Sequence, residues 1–519
     1  MSDAAITTGN PGLLFSEHEW SYDAVQRTYD AIEEIALKEL GLDVYPNQIE
    51  VITAEQMLDA YASIGMPLMY NHWSFGKHFA YNELLYRKGA RGLAYEIVIN
   101  SNPCISYVME DNSMAMQALV IAHAAFGHNH FFKNNNLFRQ WTDAEAILDY
   151  MQFAKTYIAR CEERHGARAV ERVLDAAHAL MDHGVNRYHR KRRVSPKSRE
   201  QRARDRLRYE EESYNDLWQR TVPVDARPER EEGADPAPRV ADLVPLPEEN
   251  ILYYLEKMAP RLEPWKREIL RIVRQLAQYF YPQKQTKVMN EGCATYVHYR
   301  IMNRLHEKGL LSDGGVLEFL HSHSSVIFQP GFDDKRYSGI NPYALGFEMM
   351  TDIQRICERP TDEDRQWFPE IAGNGDAMGT LRDAWANYRD ESFVLQFLSP
   401  TVMRRFKMFR LSAEADDPEY LVEAIHNERG YQKIRKALAR RYDVALQDPN
   451  IQVVAANLDG DRVLVLRHEA IGGRLLDRED AAAVLQHVAD LWGYPVALEE
   501  VDAASHDLLR EHDRVEPRP

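Results

Sequence analysis

Ile121–Asn135 reads IAHAAFGHNHFFKNN, three histidines within eight residues at the end of an apolar run. How this stretch is read decides the fold around it. The run before it, from about Asp111, has the length and continuous apolar character of a buried helix, with Asp111 or Asn112 as the expected N-cap. On a regular α-helix His123 and His128, five apart, diverge by about 140°. Two ligands of one ion normally stand at i and i+4. A π-bulge or a break beside Gly127 would bring i and i+5 onto one face, and such bulges favour functional sites. His123 and His130 share a face but lie about 10 Å apart along the axis, which suits a ligand plus a substrate contact. The ordinary alternative is a packed His123, with His128 and His130 at a helix end where the dipole favours imidazolium.

A second constellation lies in MNEGCATYVHYRIMNRL (289–305). Glu291, Thr295 and His298 stand at i, i+4 and i+7, one stripe beside the apolar stripe of Ala294, Val297, Ile301 and Leu305. A carboxylate and an imidazole on a core-facing helix need pairing or a metal, because burying a charge is costly. The plain reading of Glu291 is a first-turn acid favoured by the helix dipole. LEFLHSHSSVIFQP (317–330) adds His321 and His323, and DAAHALMDHGVNRYHR (175–190) adds His178 and His183. YNHWSFGKHFAYNELLY (70–86), NPYALGFEM (341–349) and NYRDESFVLQFLSP (387–400) mix charged groups with aromatics, as a polar-lined pocket does.

Elsewhere the pattern is mainly helical. Helices are expected over 16–40, 54–64, 143–164, 167–190, 249–280, 289–308, 314–323, 341–358 and 379–398. QIEVIT (48–53) and AYEIVIN (94–100) read as strands. IQVVAANLDGDRVLVLRH (451–468) reads as a hairpin turning at Asp459–Gly460, followed by a helix (478–492) and a strand (495–501). The expected architecture is a mainly α, two-lobed, multi-helix body with a few short strands, plus a small C-terminal α+β domain. Its parts are an N-terminal lobe (1–193), a charged, Pro-rich linker (194–248), a second helical lobe (249–404) and the α+β appendage (405–519).

The formal net charge of −17 opposes general nucleic-acid binding. No stretch reaches the apolar length of a membrane span, and the first twenty residues lack the layout of a signal peptide. The four cysteines, Cys104, Cys161, Cys293 and Cys357, have no CxxC spacing, which suits a reducing cytoplasm. There is no GxGxxG after a strand, GxxxxGK[ST], GxSxG or HExxH.

YNHWSFGK, LAYEIVINSNPCISYVMEDNSMAMQALVIAHAAFGHNHFFKNN, NEGCATYVHYRIM, LHSHSSVIFQP and NPYALGFEMMTDI together resemble the SpoVR family, named for stage V sporulation protein R. The resemblance spans nearly the whole chain. It implies a cytoplasmic protein of spore-cortex formation or of stationary-phase stress response. It also implies association with a PrkA-type serine protein kinase and a von Willebrand factor A domain protein. Separately, Glu291–Tyr296 is similar to a segment of thermolysin-superfamily zinc peptidases in which the Glu is a ligand, and HAAFGH to a stretched first motif, with AYEIVIN as the edge strand of such zincin-like elements. That likeness implies one divalent metal, zinc first with iron or manganese as alternatives, held by His123, His128 and Glu291. Ala124 stands where a general-base Glu is expected, so acid–base work falls to another group, such as Glu110, His130 or His298, or does not occur at all. Asn71, Lys77, Asn134, Tyr296, His321, His323, Tyr343 and Arg389 are the candidate substrate contacts. A hydrolase-like protein acting on a peptide or a peptidoglycan-derived fragment is one reading. A non-catalytic regulatory scaffold and a dinuclear iron or manganese helical protein are the others.

Overall fold

The computed structural model describes residues 12–63, 66, 69–87, 96–187, 244, 246–412, 421–424, 426–458 and 460–518. Most of them are helical. In chain order the elements begin with α1 (Tyr22–Glu34), which widens into a π turn at Ile35–Glu39, then β1 (Asn47–Ile52), α2 (Ala54–Ala62), α3 (Trp73–Arg87), β2 (Glu96–Ile99) and β3 (Cys104–Met109). Next come α4 (Met114–Ile121), a π-helical stretch (Ala122–His128), α5 (Asn129–Asn134), α6 (Asn136–Trp141), α7 (Ile147–His165) and α8 (Ala167–Ala179). After α9 (Ile251–Met258) follow α10 (Pro264–Gln285), α11 (Lys287–Glu307), α12 (Asp313–Val326), α13 (Pro342–Glu358), α14 (Asp362–Trp367), α15 (Ala377–Asn387), α16 (Asp390–Phe397) and α17 (Pro400–Arg405). The remainder is β4 (Arg410–Ser412), β5 (Leu421–Ala424), α18 (Glu428–Tyr442), α19 (Val444–Gln447), β6 (Ile451–Ala456), β7 (Leu464–Ala470), α20 (Arg478–Trp492), β8 (Val496–Asp502) and β9 (Leu508–Glu511).

These elements form two compact units, residues 1–182 with 263–449, and 183–262 with 450–519. The sequence boundaries at 193, 248 and 404 fall elsewhere. Helices on both sides of the linker share one core, which runs from Ile32 through Phe126, Val297 and Ile353 to Ala439. The physical reason is α11, which packs against the π stretch on one side and α13 on the other. The linker itself lies almost wholly outside the described residues, as does Asp459 of the hairpin turn. No described helix is long and apolar enough to cross a membrane.

In the first unit a three-stranded sheet has the order β1-β3-β2. β1 runs parallel to β3, and β2 runs antiparallel to it with Glu96 opposite Val108. β3 was not anticipated: CISYVM is short and follows directly on the turn signal NSNP. The cap of α4 is Ser113, whose hydroxyl accepts from Met116 N, rather than Asp111 or Asn112. All of α4 is buried, so it has no polar face to orient it. Where one helix was expected over 249–280 there are two. Pro264 starts the second at a position where its missing N–H costs nothing.

The second unit holds the α+β part expected near the C-terminus, without residues 405–449 and with residues 183–262. Its sheet has the order β6-β7-β8-β9, with β7 and β8 parallel and the outer pairs antiparallel. Register places His468 of β7 opposite Glu500 of β8, and Glu500 opposite Arg510 of β9. Trp492, at the end of α20, is fully buried and stacks with Tyr254 of α9.

Candidate metal centre

The π stretch carries the site. Its i→i+5 bonding sets residues five apart above one another, and His123 and His128 meet edge to face with ring centroids 4.7 Å apart. Gly127 explains why the backbone lies where it does. A Cβ there would come within 2.5 Å of Ala294 Cα on α11. One helix further, Gly292 of α11 abuts Gly346 of α13, where a Cβ would lie 2.3 Å from the Val288 carbonyl oxygen. Missing side chains thus let three segments touch backbone to backbone. That contact carries Glu291 up to the two imidazoles.

The start of α11 is pinned as well. The Asp390 carboxylate accepts from Val288 N (2.8 Å) and Met289 N (2.9 Å), which answers two orphan donors of the first turn. Burial pushes that carboxyl up to about 7 against the pull of those N–H groups.

Glu291 Oε2 stands 3.6 Å from His128 Nε2 and 4.0 Å from His123 Nε2. It is buried and has no hydrogen-bond partner. A fourth group comes from the first residue of β2: Glu96 Oε1 is 3.6 Å from His123 Nε2. Among the described residues Glu96, His123 and His128 form a set whose ligand atoms all lie within 4.8 Å of one another. The far nitrogens are taken. His128 Nδ1 meets Asn290 Oδ1 at 2.9 Å, and His123 Nδ1 meets His298 Nδ1 at 2.9 Å. His298 Nε2 continues to His323 Nδ1 at 2.9 Å. With N–H donated at each Nδ1, both histidines keep a lone pair at Nε2, facing the carboxylates. Outer partners of this kind fix the tautomer at metal sites.

Electrostatics agree. Burial, then the neighbouring imidazoles, hold His123 and His298 well below the usual histidine range, and burial holds His323 at about 4. Burial and the charge of Glu291 push Glu96 up to about 8. Burial also raises Glu291, although His128 and a hydrogen bond from Tyr343 oppose it. The His123 imidazole, held neutral by burial, beside two carboxylates raised by burial makes a set that a cation would relieve. Two histidines with carboxylates are a normal catalytic zinc set, and the oxygen without a partner gives the ion something to satisfy. The residues therefore fit a divalent metal.

Of the candidates read from sequence, the structure brings together His123, His128, Glu291, His298, His323 and Tyr343. Tyr343 lines a cleft of about 300 Å³ that also contains Glu96, His128, Asn290 and Glu291. The others stand elsewhere. His130 is turned to the Asp43 backbone and Trp385. Glu110 is exposed after β3, its carbonyl accepting from Trp20. Asn71, Lys77 and His321 are exposed. Asn134 binds the carbonyls of Asp43 and His130, Tyr296 donates to Gln354, and Arg389 pairs with Glu391. Glu96 was missed: inside AYEIVIN it reads as one polar residue of a strand, and only the pairing of β2 with β3 brings it to the histidines.

Comparison with known proteins agrees with the sequence. The family described as SpoVR like protein matches residues 19–447, and the SpoVR-like C-terminal domain matches 449–503. A protein of Escherichia coli (strain K12), called uncharacterized protein YcgB, is 53% identical over 502 residues, covering 96% of each chain. No solved structure matches. From residue 19 to residue 503, broken only at residue 448, this chain belongs to the SpoVR family.

Proposed function

We propose that the chain holds one divalent metal ion, zinc before iron or manganese, at His123 Nε2, His128 Nε2 and the Glu291 carboxylate, with Glu96 beside the ion as the acid–base carboxylate, and that it is a metal-dependent, hydrolase-like protein. The observation that carries this is Glu291 Oε2, buried without a partner and facing two imidazole nitrogens. An ion held there supplies Lewis acidity to a substrate oxygen. Asn290 and His298 orient the two imidazoles. Tyr343 holds the Glu291 carboxylate. Glu96 Oε1 provides the carboxylate that Ala124 cannot, and it is the atom placed to hold a proton. A cytoplasmic role in cortex formation or stationary-phase stress response, beside a PrkA-type kinase and a von Willebrand factor A domain protein, is the setting proposed from family membership.

Ala124 favours a second reading, a non-catalytic scaffold that retains the fold of an enzyme. Mass spectrometry for metals on untagged protein, beside Glu291→Ala and His128→Ala, tests the first. One tightly held ion per chain, lost in both variants, supports it. A folded wild type that carries no metal and takes up no zinc, iron or manganese overturns it and leaves the scaffold.

A further inference from the structure

YNHWSFGK (70–77) takes no part in the metal cluster, and none of its residues lines the cleft there. It makes a second constellation with α8. His72 stands just before α3, its side chain 2% exposed, against Asp175 of α8. Its Nε2 lies 3.1 Å from Asp175 Oδ1, and its Nδ1 lies 2.6 Å from the Ser74 hydroxyl. A third contact sets the tautomer. The Ser74 backbone N–H, which can only donate, also points at His72 Nδ1, at 3.4 Å. Nδ1 is therefore the acceptor, and Nε2 carries the proton given to Asp175. The Ser74 hydroxyl donates to that same nitrogen and keeps its oxygen lone pairs. Asp175 is held in turn by the Trp73 indole N–H at 2.7 Å. On the other side the Tyr70 hydroxyl meets His178 Nε2 at 2.6 Å, and the His178 ring stands edge to face against His72, centroids 4.6 Å apart.

Part of this is helix capping, because the Ser74 N–H is a first-turn donor that any short acceptor at position 72 would answer. Capping needs neither the Ser74 hydroxyl nor an acid brought in from α8. Nucleophile, base and orienting carboxylate in one hydrogen-bonded line are the arrangement of acyl transfer through serine. We infer that Ser74 is an activated nucleophile, with His72 as its base and Asp175 as the group that positions the base, and that it takes the acyl group of a small uncharged ester. Ser74 Oγ forms the bond to the acyl carbon, and its proton passes to His72 Nδ1. The ester C–O bond breaks, and the leaving alcohol departs with that proton. Water then attacks the acyl-serine by the same route, releasing the carboxylic acid and restoring the hydroxyl. Asp175 opposes an anionic donor, and the exposed Trp73 ring offers an apolar wall. Burial holds His72 below the usual histidine range, although Asp175 and Glu171 pull it upward, so the base is in its neutral form at pH 7. Burial, then His72, holds His178 at about 4, so no cation stands beside the base.

The test uses the full chain and a fluorophosphonate, which the same attack converts into a stable phosphonate on Ser74 with loss of fluoride. Peptide mass spectrometry locates the adduct. Wild type is expected to be labelled at Ser74, and p-nitrophenyl acetate to slow the labelling by competition. Ser74→Ala should remove the adduct. His72→Asn keeps a capping acceptor but loses the base, so labelling should slow by about 100-fold or more while the melting temperature holds. Asp175→Asn should slow it by about tenfold or more, and serves if His72→Asn fails to fold. The rate should rise with pH and reach half its plateau below pH 6.5, as the imidazole loses its proton. A folded wild type left unlabelled at Ser74, labelling indifferent to both His72→Asn and Asp175→Asn, or no competition from the ester would overturn the proposal.

Discussion

Two glutamates, one buried and one half-buried, each beside two histidines, show how differently the same residue types behave. In the C-terminal unit Glu500 is fully buried. Its Oε1 accepts from Arg510 Nε (2.6 Å) and His512 Nε2 (2.7 Å), and its Oε2 from His468 Nδ1 (2.8 Å) and Leu476 N (2.8 Å). Burial alone raises its carboxyl, but those four donors outweigh it and hold the group at about 2. In the helical unit Glu291 keeps an oxygen without a partner, and its carboxyl is raised. A Glu–His–His set is thus not a site in itself. Satisfied, it is a structural knot. Left one donor short, with imidazole nitrogens facing it, it is the set at which we propose a cation.

The largest expected effect falls on the satisfied set. Glu500→Gln leaves Arg510 buried without its carboxylate and should cost the C-terminal unit about 3 kcal/mol in urea unfolding, with metal content unchanged. The pH dependence follows from the sign of the shift. The folded pKa lies below the unfolded value of 4.5, so this contribution is whole above pH 4.5 and is lost as pH falls towards about 2. A wild-type unit with flat stability through that window would break the comparison. For the unsatisfied set the order reverses. Glu291→Gln should lower zinc affinity about 100-fold, about 2.7 kcal/mol, while the metal-free fold stays within about 1 kcal/mol of wild type. Competition with a chelator and thermal melting read the two halves separately. If Glu291→Gln unfolds the protein as Glu500→Gln does, the two glutamates are alike after all.

Two smaller effects sharpen the picture. Gly346→Ala places a Cβ against the Val288 carbonyl and should destabilise the helical unit by about 2 kcal/mol, loosening zinc with it. Asn290→Ala removes only the partner of His128 Nδ1, so zinc affinity should fall about tenfold with melting temperature unchanged.

Much of this site was legible because it is local. Four residues between two histidines, one of them a glycine, left a π-bulge or a break as the way to bring both onto one face, and Glu291 and His298 shared a stripe on one helix. Glu96 was not legible, because nothing near it in sequence marks it, and the strand pairing that delivers it joins segments about ten residues apart through an unanticipated β3. Asn290 was invisible for the opposite reason. It looked like an ordinary first-turn residue, and its use depends on a helix 162 positions away in sequence. His130 stands apart because proximity in sequence to two candidate ligands says nothing about facing, and its ring turns to Asp43. The same holds for the lobes: composition marks a linker well, but only packing shows that the helices on either side share a core.

The π stretch has a consequence for how the cluster could be rewritten. Deleting Ala125 would let Ala122–His128 relax into regular α-helix with i→i+4 bonding. The two histidines would then stand at the usual spacing of a helical pair. Because a π turn closes one residue later than an α turn, the downstream segment would keep its facing, with Asn129 still on the Tyr45 backbone. The stretch is one residue absorbed into an otherwise regular helix, and its removal is a lesion the fold is built to take.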